Sequence, residues 1–119
     1  VFANVAFFEE QLQKMLAATP NLKVLIIDGV SIREVDASGN EMLRDYYRRL
    51  TESGISVLFT RLRAPIMEVF WRSHMFDDIG KENFHRNPPD VFRHAWEIVN
   101  AENQPAEDDD DEAVAAAPA

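Results

Sequence analysis

Hydrophobic positions along this chain follow two rhythms. Val24, Leu25, Ile26 and Ile27 form an unbroken apolar run inside Lys23 to Asp28, β-branched at three of its four positions. Such a run predicts a central strand covered on both faces. Ile55 to Thr60 predicts another strand, and Glu82 to Arg86 a short one. Elsewhere the spacing is three and four. Val5, Phe8, Leu12, Met15 and Leu16 mark a helix that Asn4 would cap and Thr19-Pro20-Asn21 would end. Met42, Leu43, Tyr46, Tyr47 and Leu50 mark a second helix, from about Gly39 to Glu52, with Gly54 just past its end. Pro65 suits the first turn of a third helix, whose inner face carries Ile66, Val69, Phe70 and His74. Asn87-Pro88-Pro89-Asp90 opens the last helix, with Val91, Phe92, Ala95, Trp96, Ile98 and Val99 facing inward. With Val1-Phe2-Ala3 read as a strand end, the order is β-α-β-α-β-α-β-α. The fold class is therefore α/β, a sheet with helices packed on it.

The chain is organised around Val30 to Leu43, read as strand end, tight loop and helix start. Asp36 and Ser38 both stand where an N-cap belongs. Ser38-Gly39-Asn40-Glu41 has the pattern of a capping box, in which Ser38 accepts a backbone N–H and Glu41 reaches back.

Composition narrows the function. A length of 119 residues fits one domain. No apolar run is long enough to span a bilayer, and the start has no signal-peptide pattern. The absence of cysteine excludes disulfides and thiolate chemistry within this stretch. The formal net charge is −9, but seven acids with no base lie in residues 101–119. Removing them leaves 14 acids against 12 bases, so residues 1–100 have no bias toward polyanions and nucleic acid is not an expected partner. Periodicity stops near Ala101, and residues 101–119 read as a disordered acidic tail.

Asp36-Ala37-Ser38-Gly39, in its setting of buried strand and amphipathic helix, resembles the Asp-x-(Ser/Thr)-Gly loop of STAS domains. These occur in bacterial anti-sigma factor antagonists and at the cytoplasmic C-terminus of SulP-type anion transporters. Phe2-Ala3-Asn4-Val5-Ala6-Phe7-Phe8 resembles a segment that opens many SulP STAS domains and favours that branch. Met75 to Gly80 resembles the family's element before its last short strand. The resemblance covers nearly all of residues 1–100 and has no counterpart for the tail. It implies a STAS-like sheet, a non-catalytic role and a place on the cytoplasmic face of the cell membrane within a larger membrane protein. It further implies partnership with the membrane domain of the same transporter, a homodimer and a regulatory protein, with sulfate or bicarbonate as cargo. The family has strand residues upstream of Phe2, and the chain begins at Val1 rather than Met. It therefore reads as a piece of something longer, with a sheet edge left unpaired or completed by another copy. The alternative is a free-standing anti-sigma factor antagonist switched by phosphorylation.

Ser38 matches the residue phosphorylated in those antagonists, and a phosphate there would add about −1.5 to −2 charges at a helix start. Its plain structural role is an N-cap, and the two are compatible. Asp36 reads as an Asx-type turn and part of the recognition surface; Asp36, Ala37, Ser38 and Gly39 together are the loop that carries the resemblance. Arg33 and Glu34 break the apolar alternation and point to solvent. With Asn40 and Trp71 they form the candidate interaction surface. His74, His85 and His94 lack metal-ligand spacing, so no metal is expected. The glycines at 29, 39, 54 and 80 form no phosphate loop, and no cofactor is expected. Guanine-nucleotide binding, reported for some STAS domains, would rest on the Ser38 helix start alone. No Gly-x-Ser-x-Gly elbow surrounds Ser38, so no enzyme is expected.

Overall fold

A computed structural model describes the backbone of residues 2–103 and the side chains of residues 8–101. The elements are α1 (Phe2–Ala18), β1 (Val24–Asp28), α2 (Ala37–Glu52), β2 (Ser56–Thr60), α3 (Ala64–Arg72), α4 (Met75–Ile79), β3 (Phe84–His85) and α5 (Pro88–Asn103). Short 3-10 turns precede α2 and β3, at Gly29–Ser31 and Lys81–Asn83. The sheet is parallel, in the order β1-β2-β3.

β2 is the central strand. Its backbone is paired on both sides, Leu58 lies opposite Ile26, and Phe59 lies between Ile27 and Phe84. Its side chains serve two cores. Val57 and Phe59 join Leu25 and Ile27 beneath α1, α2, α3 and α4, through Leu12, Leu43, Leu50, Ile66, Phe70 and Met75. Leu58 points to the opposite face, where α5 packs across the sheet and Val91 is fully buried.

This arrangement corrects the expectation that Lys23 to Asp28 is a central strand. β1 is an edge among the described residues, and Val24 and Ile26 are only half-buried. α5 covers β2 but leaves β1 partly open. Phe92, expected to face inward, is 59% exposed there and lines a hollow of about 370 Å³ with Val24 and Ile26. Val91 marks the buried face of α5, and Phe92 is turned toward the side of β1 where no further strand lies among the described residues.

The start of the chain also differs. Phe2 and Ala3 belong to α1 rather than to a strand, and Asn4 lies inside that helix rather than capping it. No breaker separates Phe2 from Phe8, and extending a helix by one turn costs far less than starting one. α5 continues through Asn103, three residues into the expected tail, and residues 104–119 lie outside the described residues. His74 is not on the inner face of α3. That helix ends at Arg72, and His74 is exposed with φ 64° before α4.

The carboxyl ends of β1 and β2 are fastened together. Asp28 pairs with Arg61 and accepts from the Val30 N–H at 3.1 Å, while Arg63 donates to the Val30 carbonyl at 2.9 Å. Gly29 fits between them because a Cβ there would stand 2.7 Å from the Arg61 carbonyl oxygen and from the Leu62 Cα.

Two measurements check this account. Leu58→Ala should lower unfolding stability in urea by about 2–5 kcal/mol, as for a fully buried leucine. Ile26→Ala, half-exposed on β1, should cost clearly less. The Arg61 guanidinium, bonded to Asp28, holds its carboxyl below the usual range. Asp28 therefore contributes stability above the ordinary carboxylate pKa, and this is lost as pH falls through its lowered folded value. The stability gap between the native chain and Asp28→Asn should close on acidification below about pH 4.

Candidate regulatory face

The loop from β1 to α2 alternates between core and solvent. Ile32 and Val35 are buried, whereas Arg33 and Glu34 between them are exposed. Two apolar anchors thus hold a short loop whose charged residues face outward. The chain then enters α2 at Asp36, which is extended (φ −90°, ψ −179°).

Asp36 is the N-cap. Its carboxylate accepts the Gly39 N–H at 2.8 Å, and its carbonyl accepts the Asn40 N–H at 2.8 Å. A carboxylate suits this position twice over, as an acceptor for an orphan N–H and as a negative charge at the positive end of the helix. The capping box expected at Ser38 to Glu41 is not formed. Helix α2 begins two residues earlier than a Ser38 cap requires, so Ser38 sits in the second helical position. There its side chain is exposed and makes no hydrogen bond among the described residues.

Ala37 and Ser38 are exposed beside the cap, while Gly39 is buried beneath them. Asn40 is only 3% exposed and cannot belong to a contact surface, which corrects the expectation for it. It lies three residues before Leu43, on the inner face of α2, and its Oδ1 has no hydrogen-bond partner there. Trp71 is 66% exposed on α3 and so stands outside the core.

A hollow of about 490 Å³ separates the start of α2 from the end of α3. Asp36, Ala37 and Glu41 form one wall, and Val69, Arg72 and Ser73 the other. Arg44 links α2 to the end of α3 and to α4. It donates to the Ser73 carbonyl at 2.8 Å, pairs with Asp78 and lies 3.5 Å from Glu41. This clasp was not anticipated from the sequence, because nothing local distinguishes Arg44 from the other arginines of α2. Tyr47 reaches from α2 toward the Ile79 carbonyl at 3.4 Å, and burial raises its hydroxyl pKa.

The family model for the STAS domain matches residues 1–91. The chain belongs to the STAS domain family. Among individual proteins, this STAS domain is similar to sulfate transporter 1.2 of Arabidopsis thaliana, 24% identical over 99 residues, covering 76% of the chain and 15% of that protein. It is also similar to sulfate transporter 1.3 of the same plant, 27% identical over 90 residues, covering 68% of the chain and 14% of that protein. The STAS domain thus spans about a seventh of these relatives. No helix of the described residues is long and apolar enough to cross a membrane. No group of three or more histidines and acids is placed to hold a metal ion among the described residues.

The cap assignment is open to a direct test. Asp36→Ala should lower stability by about 1 kcal/mol in chemical denaturation. Ser38→Ala, exposed and unbonded, should stay within about 0.5 kcal/mol of the native value. A larger loss for Ser38→Ala than for Asp36→Ala would restore Ser38 as the cap.

Proposed function

We propose that this STAS domain is the cytoplasmic regulatory and interaction domain of a SulP-type anion transporter of the sulfate or bicarbonate class. It performs no chemistry of its own. It supports assembly and regulation of the membrane domain of the same protein, as part of a homodimer and in contact with regulatory proteins. The observation that carries this reading is the similarity to two sulfate transporters along most of the chain. The surface offered to the rest of the transporter comprises Arg33, Glu34 and the exposed start of α2 at Ala37 and Ser38, with Trp71 as a separate apolar contact on α3.

One observation favours a second reading, a free-standing anti-sigma factor antagonist. With Asp36 as the cap, the Ser38 hydroxyl is unused by the fold and open to a kinase. A phosphate there would add negative charge to an exposed surface shared with Glu41, Asp45 and Arg48, where a docking partner would meet it.

The two readings separate on the size and location of the native protein. An antibody raised against residues 1–100 should detect a membrane-fraction band several times larger than 13.6 kDa. A small band confined to the soluble fraction, carrying phosphate on Ser38 by mass spectrometry, would replace the transporter reading with the antagonist one.

A further inference from the structure

A mainly apolar concavity that shares no lining residue with the start of α2 lies at the carboxyl ends of β2 and β3. Its floor is aromatic. Phe59 and Phe84 stack with ring centroids 4.9 Å apart, and Phe76 meets Phe84 edge-on at 4.7 Å. Leu62 and Met67, from the loop after β2 and the start of α3, form its side, and the volume is about 520 Å³. That volume is within the usual range for small-molecule sites, and strand carboxyl ends are where open parallel sheets bind ligands. Met67, at the mouth, is 46% exposed, so apolar surface continues out to solvent.

The polar residues lining this hollow are all basic. They are Arg61, His85 and Arg86, in a chain whose net charge is −9. They are not equally available. Arg61 is matched by Asp28. His85 uses Nε2 on the Nδ1 of His94 at 2.9 Å. Arg86 is exposed and has neither an ion pair nor a hydrogen bond among the described residues. An apolar floor with one uncommitted guanidinium at its rim is complementary to a molecule with an aliphatic chain and a single anionic head.

We propose that this hollow binds a small aliphatic carboxylate, with its chain on Phe59, Phe76 and Phe84 and its carboxylate on Arg86. The site does not depend on the transport reading, because none of its residues belongs to the α2 face.

Titration of the 119-residue chain with butanoate, hexanoate and octanoate, followed by amide chemical shifts, tests this. Affinity should rise about fourfold for each methylene that enters the hollow. Octanoate should bind about tenfold tighter than 1-octanol, with shifts centred on Phe59, Phe84 and Arg86. Arg86→Gln should erase that tenfold preference while leaving octanol binding intact. Met67→Asp, at the exposed mouth, should weaken both ligands without unfolding the chain. Equal affinity for octanol and octanoate, an unchanged preference in Arg86→Gln, shifts centred on Phe92 beside β1, or no saturable binding would each overturn the proposal.

Discussion

Two-sided pairing of β2 is the constraint on which the rest of this domain depends. All five residues of Ser56–Thr60 pair with β1, Phe59 and Thr60 also pair with β3, and a helical layer covers each face. Phe59 is 1% exposed and Leu58 is 0% exposed, although they point to opposite faces. Both cores rest on this strand, since Val57 and Phe59 enter the core beneath α2 and α3 while Leu58 enters the one beneath α5. The flanking strands are weaker partners. β1 is exposed along part of one face, and β3 is two residues long and held largely by Phe84 in the aromatic cluster.

The same constraint explains where the candidate surfaces lie. Parallel strands send their chain ends to one side of the sheet, so the loops after β1 and β2 emerge together. Their contact at Gly29 and the Asp28–Arg61 pair hold the β1–α2 loop in place. Ile32 and Val35 then fix its inner side, leaving Arg33, Glu34 and Ser38 outward. Arg44, midway along α2, ties that helix to the end of α3 and to α4.

Much of this was legible in the sequence. The apolar runs at Val24–Ile27 and Val57–Phe59 located β1 and β2, and the spacing from Met42 to Leu50 located α2. Helix periodicity reports which residues share a face, but not whether anything covers that face. Phe92 and Ile26 therefore looked buried and are not, because no further strand lies beside β1 among the described residues. The cap was ambiguous for a different reason. Asp36 and Ser38 are both good N-caps two residues apart, and the choice follows from where buried Val35 leaves the chain. Asn40 was misread because its polar side chain outweighed its position three residues before Leu43. The Arg44 clasp joins residues more than 25 positions apart, and no local pattern announces such a contact.

On the proposed reading, Asp36 serves the fold, whereas Arg33, Glu34 and Ser38 serve a partner. Uptake of labelled sulfate by the intact native protein tests this division most directly, with Arg33→Glu and Ser38→Asp compared at equal membrane abundance. The account predicts uptake altered several-fold in both variants, while the isolated domain keeps its unfolding midpoint. Uptake identical to the native protein in both variants would contradict it and remove the α2 face from any role in transport.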